Sequence, residues 1–357
     1  MVEVKENQII LSICIPTYNR SLILMELVNS ILLSKRTDIE VVVTDNVSTD
    51  NTIEMLNSIK DERLTIYQNE KAIPAYCNMI EAIFNAKGKY VLYCNDRDLL
   101  YMDKVEKLID LLYDHDFSFL RVSSKKRKNN KLKIYEKGYE SLMNQDHTHH
   151  PTGMVFNREI IGRYLHKEDY FIYLEDFYTY SFLMRDLIKY EKSAIYNIGC
   201  WSQRPKVFLK GNKSGTVFNR MLYFYPEFNI QLAKNTLKHV FDQQDWELSE
   251  IQKQNVTLYI LNYFSKRLIL YKINMKNTNQ TSHYGIQPRF VSTKEMIGIT
   301  RQYNHECLLY LRDNRYSEEA IKRWKKSFPW LLFKAPFISL IADAAILLLY
   351  LKNDFRG

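Results

Sequence analysis

Glycine and proline are scarce: ten and eight residues in a chain of 357. That argues against collagen-like and low-complexity architectures and leaves room for an ordinary packed core. Cysteine is also sparse. Cys14, Cys77, Cys94, Cys200 and Cys307 are odd in number, widely spaced and without a C-x-x-C pair. This argues against a disulfide framework or a zinc knuckle, and buried thiols in a reducing compartment are expected. The amino terminus, MVEVKENQ, lacks an apolar signal-type stretch, so the expected location is cytoplasmic. Acidic residues are outnumbered, 41 to 50, giving a formal charge of +9. An anionic partner is implied, but no helix-turn-helix, zinc finger or aromatic stacking motif supports nucleic acid. A membrane leaflet or an anionic acceptor polymer explains the charge at least as well.

What the first part does contain is alternation. Apolar runs at 9–16, 40–44, 64–67, 89–94 and 117–122 read as strands, and 21–33, 51–59, 75–85 and 103–113 carry helical spacing between them. Continuous apolar strands separated by helices predict an α/β fold with a mostly parallel sheet and helices on both faces. Residues 123–133, SSKKRKNNKLK, read as a solvated basic loop or hairpin. Ligands of such sheets bind beyond the carboxyl ends of the strands.

Polar residues gather at those ends. The first strand runs into Pro16-Thr17-Tyr18-Asn19-Arg20 and the second into Asp45-Asn46-Val47-Ser48-Thr49-Asp50-Asn51-Thr52. The fourth leads into Asn95-Asp96-Arg97-Asp98, and Glu175-Asp176 opens a later helix-like run. Each has a plain alternative: Thr17, Asn19, Ser48, Thr49 or Asp50 can cap a helix, and Glu175-Asp176 can sit in a helix first turn. Asp45, directly at a strand end, can accept the imide N–H of a uracil or thymine ring. Asp96 and Asp98 at i and i+2 can face one pocket and offer hard oxygen ligands to Mg²⁺ or Mn²⁺. A carboxylate of the Glu175-Asp176 pair can take a proton from an acceptor hydroxyl. His147-Thr148-His149-His150 is too tightly spaced, and too unsupported by thiols or acids, for zinc. A loop on the acceptor side fits it better.

These segments, in this order, resemble family 2 glycosyltransferases, which have the GT-A fold. The resemblance covers roughly residues 8–205; its most specific part is the sequence from Asp45 to Thr52. It implies an inverting single displacement from a nucleotide sugar, with UDP the expected nucleotide and Mn²⁺ or Mg²⁺ the expected cofactor. Asp45 would contact the base, Pro16, Tyr18 and Arg20 would line the nucleoside pocket, and Asn78 would match an asparagine of the helix before the fourth strand. Asp98, helped by Asp96, would hold the metal. Asp176 would be the base, with Glu175 beside it. Downstream, Trp201, Ser202, Arg204, Lys210 and Lys213 are candidates for a further metal or phosphate contact, with Arg204 assigned to the diphosphate. The chain departs from the family at Arg97 within the D-x-D, at Asn95 where many members have Asp, and at Val47 where glycine is common.

Two domains are expected: 1–210, a nucleotide-sugar-binding catalytic domain, and 211–357, a mainly helical module for acceptor, oligomer or membrane association. Near the end, Arg323, Lys325 and Lys326 precede an apolar stretch at 328–351 that Lys334, Pro336 and Asp343 interrupt. The uncharged pieces are short for a span. A core or homo-oligomer-interface helix and an interfacial helix on the inner membrane face both fit. The expected product is a bacterial surface glycan, a teichoic-acid-like polymer or a glycoprotein. A nucleotidyltransferase, or a non-catalytic nucleotide-sugar- or glycan-binding protein of the same fold, are the alternatives.

Overall fold

A computed structural model describes residues 8–125, 129–145, 150–171, 179–204, 226–242, 246–276 and 289–354. The chain divides into two compact units, Met1–Asn219 and Arg220–Gly357.

The first unit is built on a nine-stranded sheet, β1 (Leu11–Thr17), β2 (Ile39–Asp45), β3 (Leu64–Gln68), β4 (Tyr90–Tyr93), β5 (Asp98–Leu100), β6 (Phe119–Ser124), β7 (Leu132–Tyr135), β8 (Met154–Asn157) and β9 (Ser193–Gln203). The order is β3-β2-β1-β4-β8-β6-β9-β5, with β7 also paired to β9. The strands β1 to β4, β6 and β9 share one direction and β5, β7 and β8 oppose it. The sheet is thus mixed but mostly parallel. In β2 every residue is buried, and β1 is buried except for half-buried Pro16, as expected of strands covered on both faces.

Helices α1 (Ser21–Leu32), α2 (Thr52–Asn57), α3 (Ala75–Phe84) and α4 (Met102–Asp114) follow the first strands. Helix α4 shows the reason most clearly: Val105, Leu108, Ile109 and Leu112 form one apolar stripe and are all buried. The chain passes outward from β1 to β2 and β3, then returns to β4 on the other side of β1. That reversal leaves a crevice beyond the carboxyl ends of β1 and β4, where an α/β sheet binds ligands.

Three strands were not legible from apolar runs. β5 has three residues, β7 has four of mixed exposure, and β9 mixes half-buried and polar positions with Gly199. The basic segment expected to be a solvated loop or hairpin therefore contributes, among its described residues, the end of β6 and the start of β7. All five cysteines are buried free thiols.

Shorter helices α5 (Tyr139–Gln145), α6 (Arg158–Tyr164), α7 (Glu168–Phe171) and α8 (Thr179–Leu187) complete the described part of this unit. The second unit is helical: α9 (Pro226–Asp242), α10 (Glu250–Lys276), α11 (Thr293–Asp313) and α12 (Glu318–Asp354). Ser292 caps α11 by accepting from the Glu295 N–H at 3.1 Å. Trp324 of α12 is fully buried and donates to Asn304 Oδ1 of α11 at 2.9 Å. The Tyr303 hydroxyl donates to the Leu261 carbonyl at 2.8 Å, fastening α11 to α10. No described helix is long and apolar enough to cross a membrane.

Candidate active site

Parallel pairing of β1 with β2 sets Thr17 beside Asp45, so the two loops leave the sheet side by side. Side chains then stitch them together. Asn19 takes the left-handed conformation (φ 51°), and its Oδ1 accepts from the N–H groups of Thr49 at 2.7 Å and Asp50 at 3.3 Å. In return the Asn19 N–H donates to Ser48 Oγ at 2.9 Å. Asp50 accepts from the N–H of Ser21, opening α1, and of Thr52, opening α2. Burial opposes its ionisation, yet the Thr52 hydroxyl and these N–H groups hold its carboxyl below the usual range. Capping is thus exchanged: the second loop caps the first helix as well as its own.

Asp45 is fully buried. It accepts from the Ser48 N–H at 2.9 Å, from the Ser48 hydroxyl and from Gln68 Nε2 at 3.3 Å. Beside it runs a chain of amides. Asn78 Nδ2 donates to the Thr44 carbonyl at 3.0 Å, Asn69 Nδ2 donates to Asn78 Oδ1 at 2.8 Å, and also to Asn46 Oδ1 at 3.0 Å. Asn46 in turn exchanges two bonds with the Ile73 backbone. Asn78 therefore braces the end of β2 from α3. Pro16 and Tyr18 stand half-buried at the end of β1.

The two acids past β4 have different surroundings. Asp96 accepts from Thr17 Oγ1 at 3.0 Å and from Arg20 Nη1, which lies 2.8 Å from both of its oxygens. The pair is mostly buried, and the Asp96 charge pushes the Arg20 guanidinium above its ordinary range. Asp98, 1% exposed, accepts from Thr152 Oγ1 at 2.5 Å and Asn95 Nδ2 at 3.1 Å. His150 Nε2 lies 3.4 Å from it. Burial, and secondarily the charge of Arg97, hold His150 below its ordinary value, against the pull of Asp98. Among the described residues no lysine or arginine forms an ion pair with Asp98. Asp98 is thus met chiefly by neutral hydrogen-bond donors, with the Arg20 charge acting on it through space.

His150 stacks on Trp201, with ring centroids 4.5 Å apart, and the Trp201 indole donates to the Val122 carbonyl at 3.1 Å. Ser202 Oγ lies 2.9 Å from the Tyr101 hydroxyl. Gln203 pairs with Asp98 across β9 and β5, which brings the next residue, Arg204, to the same edge. Its side chain is 9% exposed; Nη1 lies 2.5 Å from Glu26 Oε2, while buried Nε and Nη2 have no hydrogen-bond partner among the described residues.

The structure thus brings Arg20, Asp45, Asp96, Asp98 and Arg204 to one edge of the sheet. Glu175, Asp176, Lys210, Lys213, His147 and His149 lie outside the described residues. Thr152 and His150 beside Asp98 were not foreseen; their contact spans about fifty residues of chain and has no local sequence signal. Among the described residues no group of three or more His, Cys, Asp or Glu is arranged to hold a metal ion. The donor set instead suits Mg²⁺ or Mn²⁺, which often take one or two carboxylates from the protein and the rest from phosphates and water. Asp98 fits that role on its charge.

Sheet topology and the helical second unit define an α/β fold of the GT-A type followed by a helical part. Residues 12–165 match the model of Glycosyl transferase family 2, so this segment carries a domain of that family. Among curated proteins, a glycosyltransferase of Rickettsia felis is 33% identical over 117 residues, 32% of this chain and 19% of that protein. The putative teichuronic acid biosynthesis glycosyltransferase TuaG of Bacillus subtilis is 27% identical over 31% of this chain and 44% of its own length. The UDP-Glc:alpha-D-GlcNAc-diphosphoundecaprenol beta-1,3-glucosyltransferase WfgD of Escherichia coli is 25% identical over 46% and 68%. The chain spans about a fifth of the length of the first curated relatives it matches, 19%, 22% and 16%. The crystal structure of S. aureus TarS 1-349 aligns over 96% of this chain and 92% of that one, with 15% identity and a TM-score of 0.58. That likeness extends the fold correspondence through both units.

Proposed function

We propose that the chain transfers a sugar from a uridine-diphosphate donor to a hydroxyl of a bacterial surface glycan, a teichoic-acid-like polymer or a glycoprotein, by a single inverting displacement. The observation that carries this reading is Asp98. It is a buried carboxylate without a lysine or arginine ion partner among the described residues, two positions past Asp96 at the start of β5. A family 2 domain over residues 12–165 supports the reaction class. The activities named for TuaG and WfgD support a surface-polymer product and a UDP donor. The expected setting is the cytoplasmic side of the membrane.

Each residue has a role in this scheme. Asp45 takes the imide N–H of the base with the acceptor capacity left by Ser48 and Gln68, and Pro16, Tyr18 and Arg20 line the nucleoside pocket. Asn78 holds the β2 end that presents Asp45. Arg204 turns Nε and Nη2 to the diphosphate, a charge-assisted contact that satisfies two buried donors. A bound Mg²⁺ or Mn²⁺, held by Asp98 with Asp96 beside it, would neutralise charge on the leaving diphosphate. Asp176, flanked by Glu175, removes the proton of the acceptor hydroxyl as its oxygen bonds to the anomeric carbon and the bond to the diphosphate breaks.

Calorimetric titration with UDP, with and without Mn²⁺, tests the donor half. The wild type should bind more tightly with the metal, Asp98→Asn should lose that gain, and Asp176→Asn should keep it while losing transfer. Equal metal dependence in wild type and Asp98→Asn would remove Asp98 as the ligand.

A further inference from the structure

Helix α12 is apolar on the side where a solvated helix is polar. Trp330, Phe333, Phe337, Leu340 and Ile341 are 56–63% exposed. Their spacing places them on one stripe, and the three rings follow one another: Trp330 stacks on Phe333 at 5.5 Å and Phe333 meets Phe337 at 5.6 Å. The opposite side carries the buried contacts. Trp324 is buried, and buried Ser339 meets Lys272 Nζ at 2.6 Å and Thr293 Oγ1 at 3.1 Å. The stripe is therefore not the core face of the helix turned outward. It is a second apolar face, and an exposed patch of large side chains marks a docking surface.

Toward the start of the helix the same stripe continues as Lys322 and Lys326, both exposed, with exposed Lys325 alongside. Lys322 has Glu319 at 3.7 Å, one turn back and farther from the rings. One face thus offers ammonium groups, then an indole, then phenyl rings and aliphatic chains.

We infer that this face rests on the surface of an anionic phospholipid bilayer, with α12 lying along the interface. A bilayer surface satisfies both halves at once. Lysines meet headgroup phosphates, Trp330 sits at the boundary, and the rings and aliphatic groups enter the acyl layer. A second copy of the chain does not. A two-fold pair would set lysines against lysines if the helices ran parallel, or bury ammonium groups under rings if they ran antiparallel. No described helix is long and apolar enough to cross a membrane. Donor binding belongs to the first unit and this face to the second, so either can fail in a test while the other stands.

Sedimentation of the full chain with vesicles of phosphatidylcholine, alone or mixed with phosphatidylglycerol, reads the inference out. The wild type should bind mixed vesicles at least about tenfold more tightly than neutral ones at low salt, the gap closing as salt rises. Trp330→Ser/Phe333→Ser/Phe337→Ser should weaken binding to mixed vesicles by about tenfold or more. Lys322→Gln/Lys326→Gln should remove the preference for phosphatidylglycerol. If the aromatic triple variant fails to fold, Leu340→Gln/Ile341→Gln tests the same face. Wild-type protein that stays in the supernatant with both vesicles overturns the inference. So does a folded apolar-face variant that sediments like the wild type, or a wild-type dimer that the triple variant converts to monomer without any vesicle binding.

Discussion

Arg20 sets one nitrogen, Nη1, 2.8 Å from both carboxylate oxygens of Asp96. The contact joins the loop after β1 to the loop after β4, the two strands between which the sheet order reverses. It also separates the two acids of the Asp96-Arg97-Asp98 turn: among the described residues Asp96 has a guanidinium ion partner and Asp98 does not.

Removing one partner of that pair should be costly, because a buried charge is left uncompensated. Arg20→Met is expected to lose about 3–5 kcal/mol of stability. Arg20→Met/Asp96→Asn should recover part of that loss, since no lone charge remains. Urea unfolding of both single variants and the double variant gives the coupling; additive losses would show that the pair contributes little.

Val47 takes a left-handed backbone conformation, φ 62°, in the loop after β2. A β-branched side chain there is strained by about 1–2 kcal/mol. Val47→Gly should therefore raise stability by about 1 kcal/mol, although glycine is ordinarily the more flexible residue in the unfolded chain. Val47→Ile should leave it nearly unchanged. A Val47→Gly variant that melts below the wild type would show that packing of the valine side chain outweighs the strain.

That position illustrates how much was legible beforehand. Val47 stands where the resembling family often carries glycine, and the structure supplies the physical reason for glycine there. The buried strands β1, β2 and β4 and helices α1 and α4 were legible because apolar runs and stripes record burial directly. Strand β5 was not: three residues carry no period, and its pairing with β9 bridges about a hundred positions. The strand-end acids were visible in the chain, but their partners were not. Nothing local ties Asp98 to Thr152, or Asp50 to the Ser21 N–H, because those bonds exist only after the sheet has formed.

His150 adds a pH dependence. Burial holds its folded-state value below the ordinary 6.5. The unfolded chain therefore binds the proton first, and protonation favours unfolding. Metal-free stability should be level above about pH 6.5, fall as pH drops through that value, and level again below the folded-state value. His150→Gln should flatten that part of the profile. Thermal melts in chelator across pH 5–8 make the comparison; identical slopes in both proteins would show that other groups dominate the window.

Gly153 supports the same corner from beneath. Its φ is +92°, and a Cβ there would lie 2.4 Å from Trp201 Nε1 and 2.6 Å from the Val122 carbonyl oxygen. Alanine must displace the indole from the carbonyl it donates to, and with it the ring on which His150 stacks beside Asp98. Gly138 provides the control. Its φ is +75°, but an added Cβ meets nothing within 4 Å, so Gly138→Ala carries backbone strain without crowding. Gly153→Ala should cost about 1–3 kcal/mol more than Gly138→Ala. It alone of the two should weaken manganese-dependent UDP binding, because only it moves a neighbour of Asp98. Equal stability losses and equal UDP affinities would mean that Trp201 yields freely, and that the stacked pair does not hold the carboxylate in place.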